Sequence, residues 1–335
     1  MVLRLAGEGN QVVDNRPRAM PNFLVVFRHG QSLGQAADKN GPGSPEYEQV
    51  YGPKSTLLSS EWPITRLGFR QGLRLGEWFE DCLPGSHLLP TGVFERTIIA
   101  PYTRVERTLG AVAVGAFRRR NPGIMSQAAL RAVTEEMLSQ VRIDMRLDAD
   151  TYRIGKDARL REMDFGLVST ITKEEFEEKY REAYNARLRD PMYIRTPHGE
   201  SPVDVIDRAR SVTGALSRFH DAGTESLLVG TSGRFMGVLD SVLTGRVPQN
   251  TAQFKQMIPD VDNAEAFLYS CVNPADPTDQ RRSYRWRASV VPWKMPRGQN
   301  IQPQWEEFTV PNSMTIADLL GDTPSEWLLD DSAGT

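Results

Sequence analysis

Phe23-Leu24-Val25-Val26-Phe27 is a run of five apolar residues, and Arg28-His29-Gly30 follows it without a break. A continuous apolar run of that length suits a strand buried on both faces of a parallel sheet. Arg28, His29 and Gly30 then fall at the strand's carboxyl end, where open α/β sheets bind their ligands. A histidine there presents its ring to a crevice, and a glycine after it lets the backbone turn and come close to a ligand. The preceding arginine offers a planar fork of donors suited to a phosphate.

A second strand is expected over Phe94–Ala100, from which Pro101-Tyr102-Thr103-Arg104 turns into a helix carrying Val105, Leu109 and Val112. Arg118-Arg119-Arg120 ends that helix as a solvated terminus, favoured by the macrodipole. If the two strands are neighbours, Arg28 and Arg104 converge on one phosphate. Phosphoryl transfer depends mainly on positioning and on neutralising charge over three equatorial oxygens. A histidine nucleophile must be neutral to attack, and nearby guanidinium groups lower its pKa.

Further along, helices are expected over about 64–82, 126–140 and 203–220. Another follows a capping box at Thr172 and Glu175, with Phe176, Tyr180, Tyr184 and Leu188 as its stripe. Leu227–Thr231 reads as a further buried strand. Helix follows strand repeatedly. The expected fold class is α/β, a three-layer sandwich with a mainly parallel central sheet and helices on both faces.

Residues 1–21 read as a loose leader, and 22–272 as one domain with insertions at about 34–61 and 121–150. The first insertion is rich in Gly, Pro and Ser and reads as a long functional loop. Substrate-selecting residues are expected on these two insertions. Residues 273–335 form an extension holding Trp286, Trp293, Trp305 and Trp327, four of the six tryptophans. They are expected to pack it onto the core, with 284–293 as an edge hairpin.

The bulk numbers exclude several classes. Hydrophobic content of 39% and charged content of 25% are those of an ordinary globular protein. A net charge of −3 gives no global field toward nucleic acid or an anionic membrane. A phosphorylated substrate must therefore be held by a local cationic site. Arg281, Arg282, Arg285 and Arg287, with Tyr284 and Trp286, read as a solvated edge strand rather than a nucleic-acid surface. No apolar run approaches the roughly 20 residues of a membrane span, and no signal-peptide h-region opens the chain. Cys82 and Cys271 stand in no metal-like or disulfide-like spacing, which fits a reducing, cytoplasmic compartment. No metal site and no cofactor are expected, and the expected partner is a small phosphorylated substrate, with oligomeric state unreadable.

Five segments together resemble the histidine phosphatase superfamily in its phosphoglycerate-mutase-like branch. Phe27-Arg28-His29-Gly30-Gln31-Ser32 is similar to the family's nucleophile motif, without the arginine and proline that continue it in the acid-phosphatase and phytase branch. Ile64–Gln71 resembles its "L-T-x-x-G-x-x-Q" helix start, and Ala100–Arg104 its "S-P-x-x-R" segment. Leu160–Gly166 resembles its "L-x-E-x-x-F-G" segment. Gly199-Glu200-Ser201, with Asp204 and Arg208, resembles its "G-E-S" helix entry. The resemblance spans roughly residues 22–270. It implies that His29 is the phosphorylated nucleophile and that Arg28 and Arg104 bind the phosphate. Glu162 would donate a proton to the leaving oxygen and then act as general base for water. Ser32 and Gln35 occupy positions near the phosphate, with Gln35 where many relatives have asparagine.

One motif departs from the pattern. The family carries a second histidine in "V-x-S-H-G", but here Val229-Gly230-Thr231-Ser232-Gly233 puts Ser232 in its place. A hydroxyl is a neutral, shorter and weaker donor than imidazolium. Three expectations follow: a phosphatase slowed by the change or using another donor, a catalytically weakened binder of phosphorylated ligands, or an engineered substitution. His198, beside the "G-E-S" segment, is a candidate to compensate. A phosphoglycerate-type mutase is the remaining alternative, because it uses the same chemistry.

Overall fold

The computed structural model describes residues 19–92, 94–120, 154–169, 173–248, 250–296, 299 and 301–309. Most of the leader, the 121–150 insertion with its expected helix at 126–140, Thr172 and Trp327 lie outside the described residues.

The run that opened the sequence reading forms β1 (Phe23–Arg28), and its five apolar residues are all buried. Burial of successive residues means that both faces of the strand are covered, as a sheet between helical layers requires. The later strands are β2 (Arg96–Ile99), β3 (Ile154–Lys156), β4 (Ser226–Thr231), β5 (Ala266–Ser270), β6 (Val272–Asn273), β7 (Asp276–Gln280), β8 (Trp286–Val290) and β9 (Glu306–Glu307). The main sheet runs β3-β2-β4-β1-β5-β8-β9, and β6 pairs with β7 apart from it. β1, β2, β3 and β4 are mutually parallel, whereas β5, β8 and β9 continue the sheet in antiparallel pairs. The sheet is mixed, with most of its strands pointing one way, in an α/β fold.

The helices are α1 (Leu33–Asn40), α2 (Pro45–Tyr51), α3 (Arg66–Cys82), α4 (Thr103–Arg120), α5 (Lys173–Lys179), α6 (Arg181–Arg189), α7 (Pro202–Asp221), α8 (Gly233–Leu243) and α9 (Thr251–Met257). α3 and α4 lie side by side through small residues. A side chain at Gly76 would lie 1.8 Å from the Val112 carbonyl oxygen.

Three local expectations change. The segment 34–61 is not one loop, because α1 and α2 form within it. Ser32 and Gln35 make a capping box for α1, and Ser44 caps α2 with Pro45 in its first turn. The helix read across Phe176–Leu188 is two helices, broken at Tyr180. Finally, 284–293 does not make a separate edge hairpin. β8 pairs with β5 from Ser270↔Trp286 to Ala266↔Val290, inside the main sheet, and only the two-residue β9 lies beyond it. Trp286 is buried, and Trp293 and Trp305 pack against the core.

The register aligns the carboxyl ends of the parallel strands. Arg28 is opposite Thr231, Ile99 is opposite Gly230, and Lys156 is opposite Ile99. The residues just beyond β1, β2, β3 and β4 therefore emerge along one edge of the sheet. His29, the first turn of α4 with Arg104, the segment bearing Glu162, and Ser232 are those residues. Among the described residues no helix is long and apolar enough to cross a membrane.

Candidate active site

His29 is 4% exposed and held from both ring nitrogens. Its Nδ1 lies 2.7 Å from the Gly30 carbonyl oxygen, and Arg104 Nε donates to its Nε2 at 3.1 Å. A carbonyl only accepts and a guanidinium only donates. Nδ1 therefore carries the proton, and Nε2 presents its lone pair. Burial pushes the pKa of His29 well below the ordinary imidazole value, and the charges of Arg104 and Arg28 push it in the same direction. The ring is neutral, as a nucleophile requires.

The backbone beside it is fixed by close approach. Gly30 N–H donates to Thr108 Oγ1 at 2.9 Å, and a side chain at Gly30 would lie 2.3 Å from the Gly68 carbonyl oxygen. Gly68 opens α3 in the same way, its own Cβ position being 2.2 Å from the Gln31 carbonyl oxygen. The two motif glycines pack β1's end onto a helix start without intervening side chains.

The cations surround the ring. Arg104 is 6% exposed. Its Nη1 donates to the Ser59 carbonyl oxygen at 2.6 Å, and its guanidinium lies 4.3 Å from the centre of the Tyr102 ring. Arg28 donates to the Val261 carbonyl oxygen through Nη1. Burial lowers the pKa of both arginines. For Arg28 this outweighs four carboxylates that raise it: Glu162, Asp262, Glu265 and Asp260.

Two buried polar atoms here lack partners among the described residues: Arg28 Nε and Ser232 Oγ. Ser232 is fully buried. It stands at the N-cap position of α8 but makes no side-chain capping bond. The next residue, Gly233, is pressed against Arg28, with its Cβ position 2.8 Å from the orphaned Nε. Buried donors of this kind call for an acceptor, and an oxyanion supplies one.

Glu162 takes over the capping that Ser232 leaves undone. Its carboxylate accepts from the backbone N–H groups of Met163 at 2.9 Å, Phe235 at 3.2 Å and Arg234 at 3.3 Å. The last two belong to the first turn of α8. A carboxylate at a helix N-terminus meets orphan N–H donors and the positive end of the dipole. A cleft of about 210 Å³ opens here, with Arg28, Glu162, Gly233 and Arg234 among its walls.

The "G-E-S" segment braces this carboxylate from behind. Glu200 accepts from Arg208 Nη2 at 2.8 Å, from Arg161 Nη2 at 2.5 Å and from the Asp164 N–H at 3.0 Å. Arg208 Nη1 donates to the carbonyl oxygens of Arg159 at 2.6 Å and Arg161 at 2.8 Å, while its guanidinium lies 4.7 Å from the Phe235 ring centre. Both side chains are largely buried. This pair fixes the backbone on either side of Glu162. The resemblance marks both residues but gives them no role, because a brace shows only when its partners are known.

Ser32 and Gln35 sit beside β1's end, but their polar atoms are engaged locally. Gln35 Oε1 accepts from Ser32 N–H at 3.0 Å and from Asn263 Nδ2 at 2.9 Å, tying α1 to the segment before β5. His198 is exposed, on a turn at φ 61°, and makes no hydrogen bond to the other candidate residues among the described contacts. Thus His29, Arg104, Arg28, Glu162 and Ser232 come together, and Ser32 with Gln35 adjoins them as a capping pair.

The family model of the histidine phosphatase superfamily (branch 1) matches residues 144–266. Over 71 residues the chain is 39% identical to a broad-range acid phosphatase of Saccharomyces cerevisiae, a stretch covering 21% of this chain and 20% of that protein. The chain thus matches about a fifth of the length of that curated relative. Two solved structures are also similar. The α-ribazole phosphatase from Shigella flexneri has a TM-score of 0.46 and 17% identity, covering 75% of this chain and 91% of that one. The mycobacterial glucosyl-3-phosphoglycerate phosphatase complexed with VO3 has a TM-score of 0.44 and 18% identity, covering 79% and 96%. Residues 144–266, the part of the chain that carries Glu162 and Ser232, are thus similar to the histidine phosphatase superfamily (branch 1).

Proposed function

We propose that this protein is a phosphomonoester hydrolase that works through a phosphohistidine at His29. The observation that carries the reading is the neutral, desolvated imidazole whose unprotonated Nε2 lies against the Arg104 guanidinium, with Arg28 close enough to depress its pKa as well. The partner is a small phosphorylated substrate.

When a phosphate enters, Arg104 exchanges a neutral acceptor, His29 Nε2, for an anionic one, which makes the stronger hydrogen bond. That frees the lone pair. Nε2 attacks phosphorus as the ester P–O bond breaks, and Arg28 and Arg104 neutralise charge on the equatorial oxygens. Glu162 passes a proton to the leaving oxygen. In the second step water attacks the phosphohistidine, Glu162 takes a proton from that water, and the N–P bond breaks to release inorganic phosphate. Arg28 Nε and the Ser232 hydroxyl are the remaining donors available to the transferred group.

Hydrolysis of a generic aryl phosphate in the presence of a chelator tests this. Wild type should release phosphate, and His29→Ala should lose about 10⁴-fold or more in kcat, the scale seen when a nucleophile is removed. Equal activity in the variant ends the reading.

Ser232 favours a second reading, a weakened binder of phosphorylated ligands. A missing oxyanion donor costs about 10²–10³ in rate. Tight binding of inorganic phosphate without turnover, unchanged in Ser232→His, would select it.

A further inference from the structure

The cleft beside Glu162 does not end there. It shares Phe165, Arg234 and Asp260 with a second cleft of about 280 Å³, near the lower end of the roughly 300–1,000 Å³ typical of small-molecule sites. The floor of this second cleft is apolar: Met163, Met192 and Ile258 are buried in it, with Phe165 and Phe254 partly exposed above them. Its rim is cationic. Arg187 comes from α6, Arg234 from α8 and Lys255 from α9, against the single carboxylate of Asp260. No ion-pair partner for these three side chains occurs among the described residues, whereas several nearby arginines, such as Arg195 and Arg208, are paired.

The position matters as much as the chemistry. Glu162, the proposed proton donor to the leaving oxygen, lines the first cleft and accepts from the N–H of Arg234, a residue that walls both clefts. A leaving group extending away from phosphorus past Glu162 passes Phe165 and Arg234 into this cavity. We propose that this second cleft is the leaving-group subsite, and that it takes a phosphomonoester whose alcohol or phenol part is an apolar body bearing a second anionic group. The proposal rests on the hydrolase reading for the phosphate end. It moves substrate selection away from residues 34–61 to α6, α8 and α9.

The test compares three esters: phenyl phosphate, its 4-carboxylate derivative, and glycerol 2-phosphate. Wild type should favour the carboxylated aryl ester in kcat/KM. In Arg187→Ala/Lys255→Ala, the preference for the carboxylated over the plain aryl ester should fall about tenfold, chiefly through KM, as expected for loss of charge-assisted contacts. Phe254→Ser should lower both aryl esters relative to glycerol 2-phosphate. Arg210→Ala, on the exposed face of α7, should leave the preference as it is. A double variant with the wild-type preference overturns the subsite, as does a wild type that favours glycerol 2-phosphate. If wild type hydrolyses none of the esters, the hydrolase reading fails, and anilinonaphthalene sulfonate binding judges the subsite by itself. Fluorescence enhancement lost in the double variant supports it, and enhancement equal to wild type overturns it.

Discussion

The two sides of the candidate site are built on opposite plans. On the side of β1 and α4, His29 and Arg104 are nearly sealed and hydrogen-bonded to each other and to backbone. On the side of α8, Glu162 faces an open cleft, and the neighbouring hydroxyl of Ser232 has no partner among the described residues. The difference assigns the work. Desolvation sets the charge state of the sealed side, which suits a group that must stay neutral. The open side has room for water and a ligand, which suits the acid–base exchange and selection proposed for it.

The sealed side should be the less forgiving. Arg104→Ala removes a charge at the transferring phosphate and should cost about 10²–10³ in kcat. Comparison with Arg28→Ala by steady-state kinetics sharpens the point. If only Arg28 matters, the pairing of Arg104 with His29 is structural. On the open side, Glu200→Ala leaves Arg208 buried without its ion partner and should cost about 3 kcal/mol in urea denaturation. Activity should fall further than stability alone explains, because the backbone holding Glu162 loosens. If stability is unchanged, the brace is not one.

Ser232→His restores the family's donor and should raise turnover at least about tenfold, a fraction of the oxyanion-donor effect. No gain, with inorganic phosphate still bound, would favour the binder reading. The smallest effect is on pH. Because the folded pKa of His29 is depressed, the unfolded chain binds more protons below the ordinary value of about 6.5. Stability contributed by this residue is complete above that pH and is lost as pH falls through the folded value. The slope approaches about 1.4 kcal/mol per pH unit. Denaturation midpoints between pH 7 and 5 should therefore fall more steeply for wild type than for His29→Asn. Parallel curves would show that the ring is not sealed.

The sealed side was also the more legible. Five apolar residues followed by Arg28-His29-Gly30 place a buried strand and a histidine at its carboxyl end by pattern alone. Arg104 follows by the same argument from β2. Glu162 does not, because nothing in its own residue type or spacing marks it. Only the resemblance of Leu160–Gly166 to a family motif marks it, and its position depends on β3, Glu200 and Arg208, which meet only in three dimensions. Ser32 with Gln35, and Ser44 with Pro45, are helix-start signals for α1 and α2. The Gly and Pro content around them masks these short-range cues in the sequence. The loose alternation of 284–293 suggests an edge, yet β9 and the chain around Phe308 cover the far side of β8. The second cleft draws on α6, α8 and α9, and no local pattern announces a surface assembled from segments so far apart.

The most direct measurement is chemical trapping. Brief incubation with a radiolabelled aryl phosphate, alkaline quenching and peptide mapping should recover label on the peptide containing His29. That label should be lost in acid and stable in base, and absent from His29→Ala. Phosphate released by wild type at a measurable rate, with no acid-labile label on that peptide at any quench time, would contradict the account.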